Sequence, residues 1–371
     1  MTLKIEKSKL GAAVAMLQRV VKAKNSLPIL GYVLCRVENQ TFTLTAGDSE
    51  VTLQTAVPLV ETDGDGQFCL PPQRLMAAIE SLGDDVVTLI ADTDSMKMTM
   101  QHSTGETFFP IEGGDEYPLP KEEELSEPMA VDGVALAAAI DRCLWAAAND
   151  ELRAVMNGVC FRHDGTDLDI VASDGRVMVV STLSVDAKDS YMFVLPKKAA
   201  KCLCDILTEA TTIERNSVCC RIVSGAYTIM SRLIDGNYPD YTKVIPLSLR
   251  NIAAVSRRAM LTSVKRVTPF SAENVNSRLV QMSFTTDKLH LRAEDSAYAM
   301  GATDTMPIGY QGEEMDIGIC GSRLAAILSK LSGEAVDVQF NAPDKPIIFE
   351  PSEQQDWCHV LMLAMPMLLG E

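Results

Sequence analysis

The short stretch Asp63-Gly-Asp65-Gly66 has the residue types that open a calcium-binding loop. Such a loop needs a glutamate at its twelfth position, where it binds the ion through both carboxylate oxygens, and that position here is Arg74. The four histidines, His102, His163, His290 and His359, are too scattered for any two of them to have metal-ligand spacing. We therefore interpret residues 63–66 as a turn and predict no metal site.

Three aspartates, Asp48, Asp174 and Asp295, each end the same pattern: apolar, any residue, apolar, any residue, alanine, any residue, aspartate. An acid that performs one catalytic step has no reason to occur in three equivalent places, whereas aspartate is a common turn residue. The sequence contains neither a glycine-rich phosphate loop nor the Gly-x-Ser-x-Gly turn of hydrolases. The three aspartates therefore predict turns, and the chain is predicted to have no catalytic residue and no cofactor.

The ten cysteines are dispersed and lack the spacing of a disulfide framework or a zinc site. The N-terminal residues do not show the basic and then apolar regions of a secretory signal. The longest apolar run, residues 360–369, is much shorter than a membrane span and contains Pro366. These features predict a cytoplasmic protein with reduced thiols and no membrane association.

Charged residues are unevenly distributed along a chain whose formal net charge is −17. Segments 7–24, 197–204, 250–266 and 322–330 contain 15 Lys or Arg residues and no Asp or Glu. Helices that only face solvent usually carry both signs of charge, so this segregation favours another explanation. It predicts basic helix surfaces that contact phosphates on an otherwise acidic protein.

A second sequence pattern recurs together with the aspartate pattern, and each copy leads from a short strand into a helix. It occurs at Phe68–Leu75, Phe193–Ala199 and Ile317–Leu324, and Leu70, Leu195 and Cys320 lie 125 residues apart. Three copies of one domain of ordinary size explain this repetition. Pro-bearing stretches at residues 117–128 and 237–246 separate the copies. We predict domains at residues 1–128, 129–250 and 251–371.

Each copy opens with a strand and an amphipathic helix. The predicted apolar stripe of the first helix is Leu10, Val14, Leu17 and Val21, and that of the second copy is Leu136, Ile140, Cys143 and Ala147. The long helix of the second copy is predicted to be less basic than the others, because it would carry Asp141, Asp150 and Glu151 beside Arg142 and Arg153. Alternating runs predict antiparallel strands after each helix. The fold class is therefore α+β, with three repeated domains of antiparallel sheets packed on a pair of helices.

Several longer segments occur in the order and at the spacing of one known family. They are Leu27–Gly31, Asn157-Gly158, Ser173–Gly175, Val194–Lys198, Ile234–Tyr241, Val244–Pro246 and Met365–Met367. Over essentially its whole length, the chain resembles the bacterial sliding clamp, the beta subunit of DNA polymerase III. The resemblance implies a non-catalytic processivity factor, in which two chains join head to tail as a ring of six domains around duplex DNA.

The size of such a ring is consistent with this implied function. Twelve helices of about 10 Å diameter, side by side, give a circumference of about 120 Å and an opening of roughly 35–40 Å between helix axes. That opening admits a hydrated DNA duplex. Phosphate contacts do not depend on base sequence, so a ring held by topology could slide along DNA while it tethers a polymerase.

The resemblance also implies three sets of functional residues. The DNA-binding set is Lys24, Arg153, Lys197 and Lys198, and the dimer interface includes Phe108 and Phe270. The cleft for partner peptides would contain Arg153, Met156, Gly175, Val177, Met178, Pro239, Val244, Val275, Pro346, Leu363, Met365, Pro366 and Met367. The implied partners are double-stranded DNA, the catalytic subunit of polymerase III, the clamp loader, and other polymerases and repair proteins that carry short clamp-binding peptides.

The C-terminal residues support such a cleft independently of the resemblance. Residues 360–363 read as a last core strand, but Pro366 makes its continuation difficult, so Met367 and Leu368 are expected at a surface groove. Methionine is flexible and polarizable, which suits a groove that accepts several peptides.

Two other classes of protein make different predictions for this sequence. A hydrolase using Asp174 and His163 predicts a convergent polar pocket in one copy only, which the repeats do not favour. A repeat-built scaffold that binds only proteins predicts no segregation of basic residues onto helices. A monomer that does not associate with DNA would favour either alternative.

Overall fold

The computed structural model describes residues 1–21, 27–83, 85–121, 123–186, 189–272 and 278–369. The first repeat contains β1 (Thr2–Glu6), α1 (Lys7–Gln18), β2 (Val33–Glu38), β3 (Thr41–Gly47), β4 (Val51–Pro58), β5 (Glu61–Thr62), β6 (Gly66–Leu70), α2 (Pro72–Glu80), β7 (Val86–Asp92), β8 (Lys97–His102), β9 (Gly105–Pro110) and β10 (Glu112–Gly113).

The second repeat contains β11 (Met129–Asp132), α3 (Gly133–Leu144), β12 (Gly158–His163), β13 (Asp167–Ser173), β14 (Val177–Ser184), β15 (Tyr191–Pro196), α4 (Lys197–Ile206), β16 (Ala210–Arg215), β17 (Cys219–Ser224) and β18 (Tyr227–Arg232). The third contains β19 (Asn251–Ser256), α5 (Arg257–Val267), β20 (Leu279–Phe284), β21 (Lys288–Asp295), β22 (Met300–Pro307), β23 (Gly309–Gln311), β24 (Met315–Cys320), α6 (Gly321–Lys330), β25 (Ala335–Phe340), β26 (Ile347–Pro351) and β27 (Cys358–Ala364).

Short 3-10 helices occur at Pro28–Gly31, Ala154–Asn157, Tyr241–Val244 and Thr268–Phe270. The predicted α+β class with three repeated domains of antiparallel sheets and helices is confirmed. The limits of the domains at 128 and 250 stay a prediction.

One compact unit comprises Met1–Ala137 and Leu195–Ile234. Its larger sheet has the strand order β10-β6-β2-β3-β4-β18-β17-β16-β11, and its smaller sheet has the order β5-β1-β7-β8-β9. In the larger sheet, β4 of the first repeat pairs antiparallel with β18 of the second, with Leu53 opposite Ile229. We call this pairing the first joint, because it joins two consecutive repeats.

The second compact unit comprises Ala138–Val194 and Asp235–Glu371. Its sheets have the orders β15-β12-β13-β14-β27-β26-β25-β19-β23 and β22-β21-β20-β24. Here β14 of the second repeat pairs antiparallel with β27 of the third, with Val179 opposite Met362. This second joint repeats the arrangement of the first joint with different side chains.

The helices pack through the apolar stripes that the sequence predicts, with two corrections. Leu10, Val14 and Leu17 are fully buried, but α1 ends at Gln18, so Val21 lies beyond it and the adjacent Val20 is buried instead. Likewise α3 ends at Leu144, which removes Asp150, Glu151 and Arg153 from the helix to which the sequence assigned them. Ala147 is buried after the end of this helix.

Strands also follow the predicted alternation. In β4 the side chains of Val51, Leu53, Thr55 and Val57 are buried and the intervening residues are more exposed, because successive side chains of a strand point to opposite faces. No helix in the described residues is long and apolar enough to cross a membrane.

Candidate DNA-facing residues and partner cleft

The three repeated aspartates close turns, as the sequence predicts. The Oδ1 atom of Asp48 accepts hydrogen bonds from the backbone N–H groups of Glu50 and Val51, at 2.8 and 2.9 Å. Asp174 binds the N–H groups of the two equivalent residues, Arg176 and Val177, at 2.7 and 2.8 Å. In the third repeat, Asp295 accepts from Ala297 at 3.0 Å. These contacts give the repeated acid a structural role.

Lys198, which the resemblance assigns to DNA binding, is held inside the protein surface. Its Nζ atom lies 2.7 Å from Oδ2 of Asp48, whose side chain is 2% exposed, and it also donates to the carbonyl oxygen of Val20. Although Lys198 lies off the apolar stripe of its helix, its side chain therefore contributes to the folded structure. Its charge compensates the buried carboxylate of Asp48, so a reversal of charge at Lys198 would disturb folding.

The other predicted DNA-binding residues occupy different surroundings. Lys197 begins α4 and is half-buried, and this burial lowers the pKa of its amine. Arg153 lies just before the 3-10 helix Ala154–Asn157, where its Nε atom donates to Asp150 at 2.8 Å. Lys24 falls at residues 22–26, outside the described part of the chain.

Many cations of the acid-free segments are neutralised by acids from elsewhere in the sequence. In each unit, cations of the four segments pair with acids that lie outside these segments. The pairs are Lys9 with Glu6, Arg19 with Asp205, Lys198 with Asp48, Arg266 with Asp304, Arg323 with Asp174, and Lys330 with Asp141. Counting charges along the sequence therefore overestimates the basic charge that remains for phosphates.

Among the exposed cations of α4 and α5, three make no ion pair within the described ranges. Lys201 lies on α4, and Arg258 and Lys265 lie on α5. No sequence motif singles out these three residues, although their position away from the buried helix faces could have indicated them. Their charges are therefore exposed and are not compensated by an acid within the described residues.

The predicted cleft is built around the second joint. Val177 lies opposite Ala364, and Met178 lies opposite Leu363, where β14 and β27 pair. Beyond β27, the N–H of Met365 donates to the carbonyl oxygen of Arg176 at 2.8 Å, which extends the pairing by one hydrogen bond. The structure thus brings together the predicted cleft residues of the second repeat and of the C-terminus.

The cleft residues divide into a buried floor and an exposed rim. Met156, Val177, Met178 and Leu363 are buried, whereas Met365 is 38% exposed and Val244 is 48% exposed. Pro239 and Arg153 are also exposed, and Pro346, Pro366 and Met367 are half-buried. Val275 lies at residues 273–277, outside the described part of the chain. A partner would therefore contact the rim first.

Two glycines allow close approaches near this floor. Gly175 has a φ of +84°, which favours glycine, and a Cβ added there would lie 3.2 Å from Nη1 of Arg153. At Gly318 on β24, a Cβ would come 2.4 Å from the carbonyl oxygen of Met367. The N–H of Met367 in turn donates to the carbonyl oxygen of Gly318 at 2.7 Å. The segment after Pro366 is therefore fixed against β24, while Leu368 is 85% exposed.

The two predicted interface residues lie near strands that end a sheet. Phe108 belongs to β9, the last strand of the smaller sheet of its unit, and its ring is 63% exposed with the Nζ of Lys97 above it at 4.3 Å. Phe270 is 40% exposed in the 3-10 helix that follows α5. In its unit, β22 ends the four-stranded sheet.

Comparison with family models accounts for nearly the whole chain. Residues 1–119 match the N-terminal domain of the DNA polymerase III beta subunit, residues 130–240 match its central domain, and residues 242–367 match its C-terminal domain. The chain belongs to the DNA polymerase III beta subunit family. It is a DNA sliding clamp, which tethers a polymerase for processive synthesis.

Individual relatives agree with this assignment. The chain is similar to the beta sliding clamp of Pseudomonas putida, with 24% identity over 348 residues that cover 92% of this chain and 94% of the relative. It is 26% identical to the beta sliding clamp of Caulobacter vibrioides over 358 residues, covering 94% and 95% of the two chains.

Solved clamps also share the fold. The crystal structure of a Pseudomonas aeruginosa sliding clamp bound to griselimycin superposes with a TM-score of 0.93 at 24% identity, with full coverage of both chains. The beta subunit of Streptococcus pyogenes gives a TM-score of 0.93 at 20% identity, again over both whole chains. Sequence identity this low leaves the site residues to be judged from this chain itself.

Proposed function

We propose that two copies of this chain close head to tail into a ring that encircles duplex DNA without catalysing a reaction. The observation that carries this proposal is the separation of charge: 15 cations and no acid in four helix-bearing segments of a chain with a net charge of −17. Cations on the helices would meet the phosphates, and the acidic remainder would face solvent. Contacts to phosphates alone are exchangeable, so the ring can slide.

The proposed DNA contacts combine residues from the resemblance with residues from the structure. Lys24, Lys197 and Arg153 come from the resemblance, and Lys201, Arg258 and Lys265 are added because they are exposed and unpaired with acids in the described residues. Lys198 would contribute its charge from a fixed position beside Asp48. We expect individually weak contacts, since a tight one would stop the ring.

Retention on circular DNA tests this function directly. The protein is loaded on a closed circular duplex with a clamp loader, and the bound fraction is measured before and after the circle is linearised. We expect loss on linearisation, and a lower loading yield when Lys201, Arg258 and Lys265 are all changed to Glu. Lys288→Glu, on β21, is a matched control that should load normally. Retention that is insensitive to both linearisation and the triple change would contradict the proposal.

The proposed contact between chains pairs β9 of one chain with β22 of the other. Its register can be derived from the two joints, because corresponding strands pair in the same way in each repeat. In each repeat, residues that lie opposite one another can be followed across four neighbouring strands. In the second repeat these residues are Met129, Ile213, Ile222 and Ile229. In the third they are Ala253, Val338, Phe349 and Met362, and in the first they are Leu3, Leu89, Met100 and Thr107. Met129, Ala253 and Leu3 each lie four residues before a helix begins. Thr107 is therefore the equivalent of Ile229 and Met362.

The residue of β22 that should lie opposite Thr107 follows from the pairing within the hairpins. Leu53 lies opposite Ala46, Val179 opposite Ala172, and Ala302 opposite Ala293. These three alanines are the repeated alanines of the aspartate pattern. Since Leu53 pairs with Ile229 and Val179 with Met362, Ala302 of one chain should lie opposite Thr107 of the other.

Cross-linking and sedimentation test this contact. Thr107→Cys with Ala302→Cys should form a disulfide between chains on mild oxidation, whereas Thr107→Cys with Thr303→Cys should form it poorly, because Thr303 points to the opposite face. Phe108→Ala with Phe270→Ala should shift the protein toward monomer. An unchanged dimer in that variant would place the interface elsewhere.

We further propose that the cleft at the second joint binds short extended peptides from the polymerase catalytic subunit, the clamp loader and other DNA-processing proteins. The apolar floor and the partly exposed Met365 and Val244 suit one or two Leu or Phe anchors, and a Gln can bind polar groups at the rim. Met178→Ala with Met367→Ala should weaken peptide binding by about 2–3 kcal/mol. Calorimetric titration measures this, and unaltered affinity would place the docking site elsewhere.

A further inference from the structure

Each of the two joints within the chain contains an ion pair between a turn aspartate of one repeat and a helix cation of the next. At the first joint, Oδ2 of Asp48 lies 2.7 Å from Nζ of Lys198. At the second, Oδ2 of Asp174 lies 3.5 Å from Nη2 of Arg323. In both cases the other carboxylate oxygen is already used to close the turn. The acid thus connects its own turn to the helix of the following repeat.

The two cations occupy the same place on corresponding helices. The buried faces of α2, α4 and α6 each show three apolar residues with the same spacing, and one residue directly precedes each set. The sets are Leu75, Ile79 and Leu82 for α2, Ala199, Leu203 and Ile206 for α4, and Leu324, Leu328 and Leu331 for α6, where Leu82 and Leu331 lie just beyond the ends of their helices. Lys198 and Arg323 are the preceding residues in the last two helices, and Arg74 is the preceding residue in α2.

The third repeat supplies an acid for which the described residues offer no such cation. Asp295 is 6% exposed, and one of its oxygens accepts from Ala297. Within the described residues, no cation lies at ion-pair distance from Asp295, and the exposed Arg74 likewise has no acid partner. A buried carboxylate without a compensating cation is unfavourable. Arg74 of the first repeat and Asp295 of the third therefore point to an ion pair between two chains.

We infer that Arg74 of one chain and Asp295 of a second copy form this ion pair, as the third member of the series that Asp48–Lys198 and Asp174–Arg323 begin. This inference rests on the proposed two-chain ring, in which the first repeat of one chain adjoins the third repeat of the other. This ion pair would add a charged contact to the proposed β9–β22 pairing. It would hold α2 of one chain against the turn after β21 of the other.

A double-mutant cycle on the full-length protein tests the pair. The variants are Arg74→Gln, Asp295→Asn and the combination, and the dimer dissociation constant is measured by sedimentation at several protein concentrations. Asn at 295 keeps an oxygen that can accept from Ala297, so the turn remains closed. Arg36→Gln, on the interior strand β2 of its sheet, is the matched control for loss of one arginine.

We expect each single change to weaken the dimer about tenfold, and the double variant to be no weaker than either single one, as for a close charge pair across an interface. The Arg36 control should dimerise normally. A dimer whose dissociation constant is unaffected by either change, or whose two losses simply add, overturns the pair while leaving the proposed ring intact. A wild-type chain that is monomeric at every concentration overturns both.

Discussion

The first and second joints have the same backbone arrangement but opposite surface chemistry. In the first, the N–H of Arg232 donates to the carbonyl oxygen of Glu50, and in the second, the N–H of Met365 donates to that of Arg176, both at 2.8 Å. Thr52 and Met178 are also equivalent, because they lie opposite Gly47 and Ser173 in corresponding hairpins. Thr52 and Arg232 at the first joint thus correspond to Met178 and Met365 at the second.

The surroundings of the two joints extend this contrast. A cavity of about 460 Å³ at the first joint is lined by charged residues, among them Glu50, Glu123 and Arg232, and by the chain's own segment Pro118-Leu-Pro-Lys121. At the second joint, the floor is Val177, Met178 and Leu363, with Met365 at the rim. The comparison teaches that the repeated fold creates the same strand pairing twice, while a few side chains decide whether the residues beside it are charged or apolar.

Moving the first joint's side chains into the second gives the largest expected effect. Met178→Thr with Met365→Arg should weaken peptide binding at least about 100-fold, roughly 3 kcal/mol, because two apolar contacts are lost and a charge is placed at the rim. Calorimetric titration with a peptide carrying Leu or Phe anchors measures this loss. Thr52→Ala with Arg232→Ala at the first joint is the matched control. If that control lost equal affinity, the two joints would not differ in function.

The ion pairs of the two joints should differ in their effect on stability. Lys198→Ala should destabilise the folded chain by about 2–4 kcal/mol, because it leaves the nearly inaccessible carboxylate of Asp48 without its cation. Arg323→Ala should have a smaller effect, about 1 kcal/mol or less, since its pair with Asp174 is longer and more exposed. Chemical unfolding of both variants measures the difference. Equal losses would show that burial does not distinguish the joints.

The smallest expected effect concerns pH at the rim of the second joint. Hydrogen bonds from Arg153 and from the backbone of Leu152 hold the pKa of Asp150 below its ordinary value. Stability from a depressed acid pKa is present above the pKa of the unfolded chain and is lost only as pH falls through the lower folded value. Asp150 therefore stays ionised from about pH 8 to about pH 5. Peptide affinity should be nearly constant over this range.

A substitution at Asp150 gives a second test of the expected constancy of peptide affinity. Asp150→Asn removes the ion pair with Arg153 but keeps a side chain of the same shape, so peptide affinity should change by less than about threefold. Titrations of the variant and of the original chain over the same pH range make the comparison. A strong loss of affinity at mildly acidic pH in the original chain would mean that another group controls the rim.

Local features of the chain were predictable from its sequence. The spacing of the repeats, the turn role of Asp48, Asp174 and Asp295, and the buried helix residues depend mainly on interactions between near neighbours along the chain. Side-chain hydrogen bonds to the next two or three N–H groups fix an aspartate turn, and a helix stripe needs only the period of the helix. Helix ends were less predictable, as the early end of α3 at Leu144 illustrates.

Only the tertiary structure decided which charges and which grooves are available. Asp48 and Lys198 are 150 residues apart in sequence, so no local pattern could show that this lysine compensates a buried acid. Only the folded structure shows that the guanidinium of Arg153, which the resemblance implies for both DNA binding and the cleft, lies beside Gly175. The equivalence of Thr52 with Met178 likewise became visible only through strand register. The sequence by itself determined the repeats and their turns, while long-range pairing determined the chemistry of each joint, because ion pairs and grooves form between segments that are distant along the chain.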